Sequence, residues 1–315
     1  MSEMKAPREV LGDTLIILGK KNPNIVVLDA DFNPASKIRP FMEQFPDRFI
    51  QAGIAEQNMM SVAAGMAAMG FIPFVSTIAV FCSRRACDQV TVSVALPNLN
   101  VKILAVYPGL FVGLNGASHQ SLEDISIMRA IPNMSVVQPA DAVEMESILQ
   151  YVAHHAGPMY IRVGRDAVPQ YVPNDYQFKL GASLTLKDGN DMTLMTYGEL
   201  VGDTLEAASM LDKKGIQARV INMSSIKPID ENTILKAAQE TGRILTVDNH
   251  NIYGGMGSVV CEVVCEKYPV PVKRMGVKDV FGKSGSNDAM KKKFGLRAED
   301  IYQEAVNLLK NEDKI

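Results

Sequence analysis

The chain has 315 residues, 47% of them hydrophobic and 21% charged, with 32 Lys+Arg against 35 Asp+Glu for a formal net charge of −3. That is a globular composition whose charge balance offers no footprint for nucleic acid or an anionic membrane. Its 4 cysteines do not make a disulfide framework, no basic-then-apolar leader opens the chain, and no apolar run reaches roughly 18 residues, so a cytoplasmic location is expected.

Along the chain, short β-branched runs at 25–28, 71–75, 101–106, 135–137 and 159–163 lack polar alternation. That suits strands buried on both faces of a parallel sheet. Between them, 55–69 is helical, with Met59, Val62, Met66 and Met69 on one face. Turn chemistry over 171–190 (Pro173, Asn174, Asp175, Gly181, Asp188, Gly189) then breaks all periodicity. A second series follows, with strands at 192–196, 217–221, 243–247 and 272–277 and helices near 201–214, 229–241, 257–267 and 299–310. The alternation predicts an α/β fold of two doubly wound, mostly parallel sheets. The first domain spans 1–172, a linker 173–190, and the second domain 191–315, with frayed ends at 1–6 and 311–315.

Generic motifs are scarce. The phosphate-binding GxxxxGK[ST] loop and the HExxH metal helix are both missing. Gly254-Gly255-Met256-Gly257 lacks dinucleotide spacing and reads as a tight turn. Cys82, Cys87, Cys261 and Cys265 read as small buried hydrophobes, and His154 and His155 as a helix end favoured by the dipole.

The segment 51–59, QAGIAEQNM, sets Glu56 among small and apolar residues at a helix mouth, where it is expected to be buried among Ile54, Ala55 and Met59. After it come STIAVF at 76–81, RACDQV at 85–90, GASHQ at 116–120, IPNM at 131–134, VQPAD at 137–141 and GPMYIRVGR at 157–165. In this order and spacing the segments resemble the pyrimidine-binding domain of transketolases. SIKPID at 225–230, HNIYGGMG at 250–257 and VFGKSG at 280–285 are similar to the transketolase C-terminal domain. A GDG…N diphosphate-binding motif does not occur, so the chain resembles the C-terminal subunit of a split transketolase.

The resemblance implies thiamine diphosphate as cofactor. It also implies a divalent metal (Mg or Ca) held by a separate N-terminal subunit, none by this chain, and a two-plus-two heterotetramer with self-association through the pyrimidine domain. Glu56 matches the carboxyl group that hydrogen-bonds N1′ of the aminopyrimidine, and His119 a histidine that contacts substrate oxygens and assists proton transfers. Phe81 matches an aromatic packed on the pyrimidine. Ile78 stands at its usually aromatic partner position, and Cys87 likewise replaces a commonly aromatic residue. Asp31 resembles an acidic residue near the cofactor and dimer interface. Arg8 and Arg165 match the arginines that bind the sugar phosphate. Two substrate positions depart from the family: Asn115 replaces an Asp that senses a substrate hydroxyl, and Tyr107 a substrate-contacting His. They point to a less usual sugar phosphate. The competing readings are a deoxyxylulose-phosphate synthase-like subunit, a 2-oxo acid dehydrogenase beta-like subunit, and a non-catalytic assembly or regulatory subunit. Met59, Met60, Met66 and Met69 are expected to pack a subunit interface.

Overall fold

A computed structural model describes residues 4–310. The first half carries β1 (Ile25–Asp29), β2 (Phe49–Gln51), β3 (Ile72–Ile78), β4 (Lys102–Val106), β5 (Ser135–Val137) and β6 (Met159–Val163). The second carries β7 (Leu184–Lys187), β8 (Met192–Thr196), β9 (Ala218–Asn222), β10 (Ser225–Lys227), β11 (Ile244–Asn251) and β12 (Val272–Val277). The covering helices are α1 (Leu11–Lys21), α2 (Asn33–Ser36), α3 (Arg39–Gln44), α4 (Glu56–Ala68), α5 (Asp124–Ala130), α6 (Ala142–Val152), α7 (Val201–Asp212), α8 (Glu231–Thr241), α9 (Met256–Lys267), α10 (Asn287–Phe294) and α11 (Ala298–Lys310).

The two doubly wound sheets expected from the alternation are present. One runs β10-β5-β6-β4-β3-β1-β2 and the other β12-β11-β8-β9-β7. All pairings are parallel except β10 on β5 and β7 on β9. The central strands β1, β4, β6, β8 and β9 are buried at every position, which is why their sequences show no alternation.

Several boundaries differ from the sequence reading. Strand β3 continues to Ile78 because Ser76 and Thr77 stay on the β4 ladder opposite Leu104 and Ala105. Strand β11 continues through Asp248, Asn249 and His250, all buried. The stretch expected as linker, 173–190, contains the edge strand β7 and the buried Phe178, because it covers the flank of β9 and the α6 face. The segment assigned to the second domain also sends β10 back onto the first sheet. Of the ends expected to fray, 1–3 and 311–315 lie outside the described residues. Lys5 instead exchanges backbone hydrogen bonds with Val168, and Ala6 is buried.

Helix α4 corrects the methionine reading. Met59 and Met60 are fully buried in their own subunit's core, while Val62 and Met69 face outward, Met69 being 79% exposed. The packing face is therefore set by Met59, Met60, Ala63 and Ala64 with Met66 partly buried against them, not by the stripe Met59, Val62, Met66 and Met69, and of the four methionines expected at a subunit interface Met59 and Met60 lie in the core. Among the cysteines only Cys82 is fully buried; Cys265 is exposed on the outer face of α9. Gly254 takes the left-handed φ of +72° that the turn reading requires. Among the described residues, no helix is long and apolar enough to cross a membrane.

Candidate active site

Strands β1, β3, β4 and β6 lie side by side and parallel, so their carboxyl ends lie along one edge of the sheet. Sheets of this type bind ligands there, at the point where the strand order reverses, here between β1 and β3. Most of the residues singled out in the sequence follow directly from these four strand ends. Asp31 follows β1, Phe81 follows β3, Tyr107 follows β4 and Arg165 follows β6, while Ile78 closes β3 itself.

One group gathers around the head of α4. Glu56 is its first residue and only 2% exposed, where the unpaired N–H groups and the dipole favour a carboxylate. Its Oε2 accepts from Arg85 Nη1 at 2.8 Å. Arg85 also lies over the Phe81 ring at 4.3 Å, and the Phe81 ring meets His119 edge-on at 5.4 Å between centroids. Met59 is buried as expected, but Ala55 is only half-buried and Ile54 is 74% exposed and does not enclose Glu56.

A second group forms around Tyr107. Arg8 Nη1 donates to the Tyr107 hydroxyl at 2.6 Å and to Ala35 O at 2.8 Å, and its Nε donates to Arg165 O at 3.1 Å. Arg165 also lies over the Tyr107 ring, 5.0 Å from its centroid, and donates from Nη1 to Val112 O at 2.5 Å. Tyr107 itself has φ +61°, a left-handed conformation costing a bulky residue about 1–3 kcal/mol, retained by these contacts. Ile78 joins the two groups through a buried cluster with Val80, Val106, Tyr107 and Val112, against which Phe32 and Phe81 pack.

Asp31 and Asn115 stand apart. Asp31 has φ +59° on a loop organised by the buried Asp29, whose Oδ2 accepts from Phe32 N, Asn33 Nδ2 and Gln51 Nε2. Asn115 is exposed at the end of a short turn, Gly113–Asn115. Among the described residues, no hydrogen bond ties either side chain to the two clusters.

Three features were not assigned from sequence. Arg85 lies within the RACDQV segment, and only its distance from Glu56 in space reveals the pairing. Asn249 and Asn287, from the second half, bond the loop that carries Asn115 and His119. The third is a fully buried polar joint between the halves. Arg162 Nε donates to Asp124 Oδ2 at 2.9 Å, and its Nη2 donates to Asn249 O at 3.1 Å. Its Nη1 reaches Gln138 Oε1 and, at 3.4 Å, the Tyr197 hydroxyl. Tyr160 OH adds a 2.9 Å bond to Asp124, and Gln138 passes the network on to Glu199. Beside it burial keeps His250 neutral, its pKa pushed down to about 4 even though Asp124 is nearby.

Residues 3–170 match the family described as "Transketolase, pyrimidine binding domain", and residues 181–301 "Transketolase, C-terminal domain". The chain is 43% identical over 298 residues to the 6-deoxy-6-sulfo-D-fructose transketolase subunit SqwH of a Clostridium species, covering 95% of this chain and 92% of that protein. It is 40% identical to an apulose-4-phosphate transketolase subunit of Phocaeicola vulgatus, covering 98% of this chain and 99% of that one. A solved structure described as a split gene transketolase, inactive beta4 tetramer, superposes with a TM-score of 0.89 at 45% identity, over 96% of this chain and 98% of the other.

Proposed function

The chain belongs to the transketolase family, and on that premise we propose that it is the C-terminal subunit of a two-chain transketolase. The reaction moves a two-carbon ketol unit from a ketose phosphate to an aldose acceptor. The observation that carries this reading is a buried carboxylate, Glu56, grouped through Arg85 with a flat aromatic and a histidine, and joined through the Ile78 cluster to two arginines around Tyr107.

Thiamine diphosphate fits the first cluster by the chemistry of its residues. A buried carboxylate at a helix head suits a protonatable aminopyrimidine, and Phe81 with Ile78 offers an apolar surface for its ring. When bound, this cofactor supplies the electron sink for carbon–carbon cleavage. Glu56 holds or releases a proton at its carboxyl oxygen toward the pyrimidine, and Arg85 keeps that carboxylate oriented. His119, edge-on to Phe81, moves protons to and from substrate oxygens. Asp31 stands at the cofactor end of the sheet edge.

The second cluster suits the phosphate. Arg8 and Arg165 both lie against Tyr107 with their backbone-bonded nitrogens fixed, and each keeps a terminal Nη2 without a protein acceptor among the described residues. Two pre-oriented guanidinium groups are what an anionic oxygen cluster needs. Tyr107 and Asn115 then contact the sugar. Removing the Tyr107 hydroxyl that Arg8 holds at 2.6 Å loosens that arginine, so Tyr107→Phe should raise KM for the ketose phosphate about tenfold with little change in kcat. Steady-state kinetics on the reconstituted pair check this.

The partner we propose is a transketolase N-terminal subunit that holds the divalent metal, Mg or Ca, in a two-plus-two complex located in the cytoplasm. The relatives named as subunits and the similar chain described as inactive support a partner requirement. Self-association through the pyrimidine domain is supported by the outward Ile54, Val62, Met69, Val92 and Leu96 on and beside α4. The test of the whole reading is turnover by the reconstituted pair on xylulose 5-phosphate against other ketose phosphates. Because Asn115 and Tyr107 replace the usual substrate-sensing Asp and His, another ketose phosphate is expected to be the better donor. Strong preference for xylulose 5-phosphate overturns the substrate assignment, and inactivity on every ketose phosphate overturns the enzymatic one.

A further inference from the structure

The loop at 108–120 carries Asn115 and His119, and side-chain and backbone groups of the second half pin it point by point. Asn249 Nδ2 donates to Pro108 O at 3.2 Å and its Oδ1 accepts from Leu110 N at 2.8 Å. Asn287 Oδ1 accepts from Gly113 N at 3.0 Å. At the far end Gln120 Nε2 donates to Lys283 O at 3.0 Å. Side chains are excluded where the two parts touch. A Cβ added at Gly116 would run into Ser284 Oγ, and one at Gly282 into Gln120 Oε1, well inside van der Waals contact.

Asn287 differs from the other pins in what it joins. While Oδ1 holds Gly113, its Nδ2 donates to Asp166 Oδ2 at 2.5 Å. Asp166 directly follows Arg165, and Arg165 Nη1 is bonded to Val112 O, directly before Gly113. One amide therefore spans the turn ending in Asn115 and the strand end presenting Arg165. Its own base is rigid. Asn287 starts α10, which Ser286 caps by accepting from Ala289 N; Met290 is buried, and Lys291 reaches Asp203 of α7 at 2.6 Å.

The geometry points to Asn287 as a positioning residue for substrate binding, setting the spacing between Asn115 and Arg165. It rests on the reading that those two residues bind the sugar phosphate. The side chain has to be an amide, because it accepts from a backbone N–H and donates to a carboxylate at once. An aspartate there keeps the bond from Gly113 N, loses those to Asp166 and, at 3.4 Å, to Phe111 O, and faces Asp166 with like charge. A displacement of about 1 Å in a binding group costs up to about 100-fold in rate or affinity.

The test uses the full chain reconstituted with its partner. Asn287→Asp should raise KM for the ketose phosphate at least about tenfold, with kcat nearly unchanged and thiamine diphosphate affinity unaltered. The double variant Asp166→Asn, Asn287→Asp should bring KM back, because the amide introduced at position 166 donates to the carboxylate introduced at position 287. Hydrogen exchange on the isolated chain should show 109–116 losing protection in the single variant and regaining it in the double. An active pair whose KM is unmoved by Asn287→Asp, or not recovered by the exchange of the two residues, overturns the assignment. If the wild-type pair has no transketolase activity, the proposed function fails separately. The exchange data then decide this point, and unchanged protection of 109–116 overturns it.

Discussion

Glu56→Gln in the reconstituted pair is expected to lower kcat by about 100- to 10,000-fold, the usual reach of a positioned proton-transferring side chain. The substitution keeps the shape of the side chain and an oxygen for Arg85 to donate to, so it removes proton exchange and charge with little repacking. Stability should change little, because Arg85 is nearly half exposed and its pairing with Glu56 is partly screened by water. Two measurements separate chemistry from assembly: deuterium exchange at C2 of bound thiamine diphosphate, expected to fall with kcat, and sedimentation of the complex, expected to match wild type. Unchanged exchange and turnover would remove the role given to Glu56.

The second large effect is on folding. Arg162→Met should destabilise the chain by about 3–5 kcal/mol, because it leaves Asp124 buried without its cationic partner. Arg162 and Asp124 are both wholly inaccessible. Tyr160 still donates to the abandoned carboxylate, and the neutral His250 stands 3.9 Å away, too far for a hydrogen bond to compensate. The variant also takes a donor from Asn249 O and from Gln138 Oε1, so the loss spreads from β6 to β11. Urea unfolding of the full chain measures it; a change under about 1 kcal/mol would mean the network contributes little.

What the sequence makes legible follows a physical division. Central strands such as Ile25–Asp29 and Met159–Val163 announce themselves by a lack of polar alternation, because both faces are buried; their polar members, Asp29 and Arg162, are hydrogen-bonded inside. Where a strand ends in polar residues the apolar run stops before the strand does. That is why the apolar pattern closes β3 at 75 and β11 at 247, although Thr77 and His250 still lie in the sheets. Those hidden strand ends are where the sheets meet the site and the joint between halves. Residue types within short motifs, such as Glu56 in QAGIAEQNM, are readable, and Arg8, Tyr107 and Arg165 converge although 157 positions separate the first from the last. The partners that hold them are not. Gly113 and Asn287 are 174 positions apart, and no local periodicity records a bond across that span. The one-face reading of Met59, Val62, Met66 and Met69 fails for a related reason: period alone gives a face, but the packing of α4 against β3 and the helical stretch Gln89–Ala95 decides which face is inside.

Strand β10 has a consequence for how such a protein could be taken apart or recombined. The three residues Ser225–Lys227 belong, by order along the chain, to the later half, yet they close the open flank of β5. Severing the polypeptide near residue 180 would strip that flank and leave unsatisfied backbone groups ready to recruit a foreign strand. A swap of later halves between homologous subunits would likewise import a new neighbour for Val136 and Val137. The seam suggested by the two sheets is therefore not a modular boundary. Inheritance that shuffles these halves would have to carry the stitch along with the cloth.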